Sequence, residues 1–388
     1  VSGGSGGDPL ASLREVEYPD RAEGIFFNAA GYGLLPARAT RAASDMTLRR
    51  NRPGGLREEE LGESLRRCRT AVARLLDVDP SEVTLAPNTS YGVNLGAALA
   101  AAGPPGTVVL PEGEFPANVY PWFALRRRGF EVEVVPADEA GLPDPVRLRD
   151  RLCRDDVRVL ALSAVQFASG YRADLAAFGG LCRERGILFV VDAIQALGAV
   201  PLHPAEVGID VLASGGQKWL CSPWGSGLVW VDRRHHDVFD PPMVSWLSME
   251  AALDFTDVLG YEWGFLDDGR KFELASLAVQ DQLGLAHSAE LFLEVGIDAI
   301  RRHILRVHEP LLEWVGDRRE ATLVTPADPA HRGGIVSFRV PRVEAVADEL
   351  RRRGVSLAVR EGGIRLSPHL YNTVEEMKAV VEMLDRAV

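Results

Sequence analysis

Between Val83 and Val231 the chain alternates short apolar runs with amphipathic or alanine-rich stretches. The runs are "VTLA", "TVVL", "EVEVV", "VRVLALS", "ILFVVDA", "IDVLAS" and "GLVWV". They have the length and β-branched content of strands, and the stretches between them have helical spacing. That alternation predicts βαβ crossovers and a largely parallel seven-stranded sheet in an α/β domain. After about Lys271 the pattern changes to long helical segments, "FELASLAVQDQLGLAHSAELF" and "IDAIRRHILRVHEPLLEWV". Short runs "GGIVSFRV", "VSLAV" and "GIRLS" come next, with a last helix after them. This predicts a smaller α+β domain. The expected divisions are a flexible tail over 1–24, a large domain over 25–270 and a small domain over 271–388, with residues 25–50 able to pack against the small one. A turn-rich stretch, "DPPMVSWLSMEAALDF" (240–255), links the halves and is expected to border the site.

Composition narrows the class. With 388 residues, 46% of them hydrophobic, the chain can bury a sizeable core. A formal charge of −12 argues against a protein built to neutralise nucleic-acid phosphates, so a small-molecule partner is expected. The four cysteines, Cys68, Cys153, Cys182 and Cys221, form no CxxC pair and suit reduced thiols in a cytoplasmic chain better than disulfides or zinc. No histidine spacing suggests a metal, and the pair His235-His236, set among charged residues, reads as a solvated loop. No stretch reaches the length of a membrane span, and "VSGGSGGDPL" lacks the basic start and apolar core of a signal peptide. Two Arg-Arg-Arg-Gly endings, 126–129 and 351–354, read as capped helix C-termini rather than a nucleic-acid patch.

Candidate chemistry gathers where strands end. In "ASGGQKWL" (213–220) Lys218 comes after a buried strand and a Gly-Gly-Gln turn. Asp192 stands at the C-terminal end of "ILFVVD", where ligands bind in open α/β sheets. It could face a cation such as a protonated pyridine nitrogen, or serve as an N-cap for the next helix. In "APNTSYGVNLGAALA" a strand runs through Asn88, Thr89 and Ser90 into a helix, and backbone N–H groups and two hydroxyls suit a phosphate; capping alone accounts for the hydroxyls as well.

The order of phosphate cradle, strand-end Asp and later Lys resembles the fold-type I pyridoxal-phosphate enzymes, and within them the class V aminotransferase and cysteine desulfurase-like family. The resemblance runs through nearly the whole chain and is most specific in "VVDAIQALGAV" and "ASGGQKW". It implies the pyridoxal 5'-phosphate transferase type I fold and that cofactor. It further implies that Lys218 forms the Schiff base and moves the substrate α-proton, that Asp192 keeps the pyridinium charged and that Gln195 bonds the ring hydroxyl. Gln217 stands where relatives often have a phosphate-binding His and keeps a donor without a titratable group. Phe115, in "EGEFPANVYPW", stands where desulfurases stack a His on the ring; it can stack but cannot relay a proton. Gln166 in "SAVQFASGY" matches an amide near the cofactor oxygen, and Ser276 in "KFELAS" a hydroxyl that reaches the phosphate of the other subunit. In "VSLAVREGGIRLSPHLYNT" Arg360 is the expected clamp for the substrate carboxylate; Arg365 is the alternative, with a structural role also open to it. Asn28, opening "NAAGYGLLP", is expected to line the substrate entrance.

The resemblance implies a homodimer with shared sites, acting on the α-carbon of an amino acid. No cysteine lies beyond Cys221, and packing suits Cys221 better than persulfide chemistry, so a standard desulfurase is disfavoured. The expectation is a class V aminotransferase. A C–S or C–C lyase and an isopenicillin N epimerase-like reaction stay open, as does a catalytically silent pyridoxal-phosphate-binding protein. A dinucleotide oxidoreductase is disfavoured because no GxGxxG turn comes after a strand.

Overall fold

The computed structural model describes residues 8, 10–251, 256, 259 and 261–388. The Gly/Ser opening over 1–7 and the end of the linking stretch, 252–255, lie outside the described residues. A two-residue strand β1 (Ile25–Phe26) precedes the large sheet. The seven expected strands all form: β2 (Val83–Ala86), β3 (Thr107–Pro111), β4 (Glu131–Val135), β5 (Val157–Ser163), β6 (Leu188–Asp192), β7 (Val211–Gly215) and β8 (Gly227–Val231). They make one sheet in the order β2-β8-β7-β6-β5-β3-β4. Only β8 runs antiparallel to its neighbours, β2 and β7. Strands β2, β3, β5, β6 and β7 therefore all deliver their C-terminal ends to one edge. Near-continuous burial of β2, β3, β5, β6, β7 and β8 fits helices packed on both faces.

The small sheet is antiparallel, in the order β12-β13-β10-β9, from β9 (Thr322–Leu323), β10 (Val336–Arg339), β12 (Ala358–Arg360) and β13 (Gly363–Leu366). Strand β11 (Val355–Ser356) instead pairs in parallel with β1, tying the start of the chain to its end.

The division between cores departs from the expected boundary at 271. The helix Val279–Val295 packs on the helices Ala37–Arg49 and Glu58–Leu76, and its Leu285, Ala286, Ala289, Leu291 and Phe292 belong to the large core. The next helix, Ile297–Gly316, begins in that core with Ile300 and Ile304 and ends in the small core with Val307, Leu311 and Trp314. Twenty residues of helix span about 30 Å, enough to reach both cores. Phe27 joins the small core, whereas the helix Ala37–Arg49 stays with the large one.

The expected tail over 1–24 is also structured from residue 10 onward. Ala11–Glu17 is helical, Leu10 and Tyr18 lie in the large core, and Arg14 and Glu17 are buried. His236 is buried against the Val231 carbonyl and His235 meets Asp210, so the pair is not the solvated loop expected of its charged neighbours. Among the described residues no helix is long and apolar enough to cross a membrane.

Candidate active site

Five of the six parallel strands of the large sheet hand over a candidate residue at their common edge. Strand β2 leads into Thr89, β3 into Phe115, β5 into Gln166, β6 ends in Asp192, and β7 leads into Lys218.

Asp192 is 2% exposed. One carboxylate oxygen accepts the Ile194 N–H at 2.9 Å, and the chain continues as a turn rather than a helix. The capping alternative is thus present as a two-residue turn that uses one oxygen, while the other accepts no hydrogen bond among the described residues. Burial pushes the carboxyl up to about 6, opposed by the Ile194 N–H and by Lys218. Burial pulls the Lys218 amine down to about 8; Asp192 opposes that shift, and Arg365 and Arg360 add to it. Lys218 and Asp192 sense each other without forming an ion pair. The amine lies 5.6 Å from the centroid of the Phe115 ring, which meets Phe167 edge-on at 5.2 Å.

The glycines of the Gly-Gly-Gln turn serve close approach rather than positive φ. A Cβ on Gly215 would lie 2.3 Å from the Gln217 carboxamide oxygen, and one on Gly216 would lie 2.2 Å from Ser222 Oγ. The Gly215 N–H donates to Thr89 Oγ1 at 2.8 Å. Thr89 and Gln217 therefore both lie beside Gly215, Thr89 opening the helix Thr89–Ala102, which Asn88 caps by accepting the Tyr91 N–H. Ser90 is exposed beside them. An N-terminus of this kind, with a hydroxyl and an amide beside it, suits a phosphate.

Gln195 is buried and held at both ends: its Oε1 accepts the Trp219 indole N–H at 2.8 Å, and its Nε2 donates to the Ala30 carbonyl at 3.2 Å. One Nε2 proton is left for a ligand. Trp219, next to Lys218, is fully buried; its carbonyl meets His369 Nε2 at 2.9 Å, and its ring packs so close to Gly334 that a Cβ there would come within 2.3 Å. Cys221 is fully buried, and burial pushes its thiol up, as suits packing.

Glu114 was missed in the sequence. It is buried and accepts from the Ser163 N–H at 2.7 Å, Ser163 Oγ at 2.5 Å, Asn118 Nδ2 at 2.9 Å and Gln166 Nε2 at 2.7 Å. Burial still pushes its carboxyl up to about 7, despite the Ser163 and Asn118 hydrogen bonds; Asp192 contributes in the same direction. Gln166 is thereby anchored through its amide nitrogen. The available signal was the spacing of four that links Glu114 to Asn118 and Asn118 to Trp122, whose indole N–H donates to Asn118 at 3.3 Å.

The two arginines differ in burial and in partners. Arg360 is exposed, bonding only the Val359 carbonyl at 2.8 Å, and lines a cavity of about 670 Å³ that also touches Glu114, Gln166 and Phe167. Arg365 is 2% exposed. It donates to the Phe167 carbonyl at 2.7 Å, its Nε is buried with no partner, and no carboxylate among the described residues pairs with it. A buried guanidinium without a counter-ion is costly unless an anion arrives. Burial and Arg360 together pull it down to about 10. The Asn28 side-chain oxygen is likewise buried without a partner, on a segment bridged to Ser367 just beyond β13. Ser276 is exposed and shares no hydrogen bond with the other candidates; within one chain it is not brought into the site.

Comparison with known proteins identifies the family. The model of the family described as aminotransferase class-V matches residues 46–380. The chain belongs to that family. Among curated relatives, an uncharacterized aminotransferase, YcbU, of Bacillus subtilis is 26% identical over 84% of this chain and 85% of its own length. A probable cysteine desulfurase of Methanothermobacter thermautotrophicus is 29% identical over 83% of each. A solved C-DES mutant with glycine covalently linked to its PLP cofactor superposes with a TM-score of 0.87 at 22% identity, over 96% of this chain and 99% of that one. The α/β architecture expected from the strand pattern is the fold of that structure. The residues fit the cofactor the family uses: Lys218 and Asp192 face each other unpaired, Asp192 keeps a free oxygen, and an anion cradle lies at Thr89 and Gln217.

Proposed function

We propose that this member of the family is a pyridoxal-phosphate-dependent aminotransferase acting on an α-amino acid. The observation that carries the reading is the buried, unpaired opposition of Lys218 and Asp192 at adjacent strand ends, beside a buried arginine without a counter-ion. When bound, pyridoxal phosphate supplies a carbonyl for amines and a pyridinium ring that accepts electrons.

The chain's own groups have distinct tasks. Thr89, Ser90, Gln217 and the helix N-terminus bind the phosphate. Asp192, its free oxygen turned from the Ile194 N–H, would keep the ring nitrogen protonated; Gln195 and Gln166 would donate to the ring oxygen, and Phe115 would stack on the ring. Lys218, a weak acid near neutral pH because it is buried, removes and returns the proton at the substrate α-carbon. Arg365 takes the substrate α-carboxylate with Asn28 beside it, in place of Arg360. Its only rigid partner is the Phe167 carbonyl, so its remaining donors are free for a carboxylate.

Phe115 offers no proton for a leaving sulfur, and no cysteine lies beyond Cys221, which favours transamination over desulfuration. We also infer a homodimer: Trp224, Leu259, Tyr261 and Trp263 are each more than two-thirds exposed, apolar surface that a second copy would cover while Ser276 reaches its site. The deciding experiment loads the purified chain with pyridoxal phosphate and tracks absorbance and product while an amino acid panel is added. Bleaching with release of the matching 2-oxo acid supports transamination. Ammonia with pyruvate or sulfide supports a lyase, loss of chirality alone an epimerase, and uptake of cofactor without any turnover a silent binder. Light scattering showing a loaded monomer would remove the dimer.

A further inference from the structure

We infer that Arg360 binds a second anionic group, on the side chain of the substrate, so that the enzyme selects acidic amino acids. The inference rests on the function proposed above and concerns which amino acid that site admits.

Strand register places the two arginines. In the hairpin β12–β13, Ala358 lies opposite Arg365 and Arg360 opposite Gly363. Arg360 and Arg365 therefore project from one face as diagonal neighbours, with backbones about 7–8 Å apart. Both flank Phe167: Arg365 donates to its carbonyl, and Arg360 lines the cavity to which Phe167 contributes. Phe167 in turn contacts Phe115, and Phe115 lies against the Lys218 amine. The buried guanidinium of Arg365 and the exposed one of Arg360 thus leave the hairpin on the same side. Repulsion from both cations lowers the proton affinity of Lys218, in keeping with that shared side.

Neither arginine has a carboxylate partner among the described residues, in a chain where many other arginines are ion-paired. The acids around the cavity do not fill that role. Glu112 accepts the Ala137 N–H, and Asp138 closes its own loop through Ala140 and Leu142. Glu139 and Glu361 are exposed on the rim and form no ion pair with Arg360. Position 363, opposite Arg360, is glycine, leaving that part of the face without a side chain. A Cβ there would lie 2.8 Å from Ser337 Oγ. A surface arginine of no function would be expected to face bulk solvent on the outer side of the sheet. Arg360 instead shares the inner face with a buried arginine. One deep and one shallow guanidinium match an α-carboxylate and a side-chain carboxylate on the same molecule.

The test uses chain loaded with pyridoxal phosphate, its loading checked by absorbance. Equilibrium binding is measured for the α-methyl derivatives of aspartate, glutamate and 2-aminoadipate, each against its side-chain amide. These compounds carry no α-hydrogen, so binding is read apart from turnover. At least one acid is expected to bind about 10-fold or more tightly than its amide, the usual value of a charge-assisted pair. Arg360→Gln is expected to bring that ratio to about one while leaving the amide's affinity unchanged. Arg365→Gln, in contrast, weakens acid and amide alike. Equal binding of all three pairs by the wild type, or an Arg360→Gln chain that loses acid and amide in the same proportion, overturns the inference and leaves the proposed aminotransferase standing. A chain that takes up no pyridoxal phosphate overturns both.

Discussion

The floor and the mouth of the site are built differently. At the floor, Asp192, Gln195, Gln166 and Glu114 are buried and each accepts or donates at least one hydrogen bond to a fixed partner. At the mouth, Phe115, Arg360 and Ser90 are exposed, and Arg360 bonds only to its neighbour's carbonyl. The floor is positioned by the strands of one sheet, and its chemistry derives from the α/β fold. The mouth draws on both domains, so what enters depends on how the small sheet meets the large one.

Lys218→Ala would break the floor most completely. Uptake of a yellow chromophore should be lost and turnover should fall by at least on the order of 10³-fold, read by absorbance and product release. Asp192→Asn keeps an oxygen for the Ile194 N–H, so the melting temperature should barely move while kcat drops by about 10²–10³-fold. Arg365→Gln should act mainly on binding, raising KM about 10- to 100-fold, because a charge-assisted pair is worth about 1.5–3 kcal/mol.

Proton affinity gives a finer probe. With the lysine near 8, about a tenth of the amine is neutral at pH 7 in the cofactor-free chain. The rate at which that chain captures pyridoxal phosphate should rise with pH and level off above about 8. Asp192→Asn removes an attraction for the charged amine and should move the midpoint down; Arg365→Gln removes a repulsion and should move it up. Midpoints that shift in the same direction would show that the two groups do not bracket the lysine. A packing change beneath the floor is the last probe. Trp219→Phe leaves the buried Gln195 oxygen without its indole donor and should cost about 1–3 kcal/mol of stability, measured by denaturant titration.

The same contrast explains what could be read from sequence. The seven large-sheet strands were legible because each is a short apolar run between helices, and so was the placement of Asp192, Lys218 and Thr89 at or just beyond strand ends, where such sheets bind ligands. Glu114 was hidden because its partners, Ser163 and Gln166, come from another strand and meet it only once β3 and β5 are paired. The difference in burial between Arg360 and Arg365 was hidden for a related reason. Both lie in one hairpin, and burial separates them through the packing of Phe167, far away in the chain. The core that the helix Val279–Val295 joins was hidden because a change from strands to helices marks a change of pattern, not of core.

The close seating of Trp219 against Gly334 ties two distant parts of the gene together. The indole that neighbours the lysine occupies the space a side chain at 334 would need, and His369, near the end of the chain, holds its carbonyl. Positions 219, 334 and 369 should therefore drift as a set. An alanine at 334 would be tolerated only alongside a smaller ring at 219, and homologues that have exchanged one are expected to have exchanged the other.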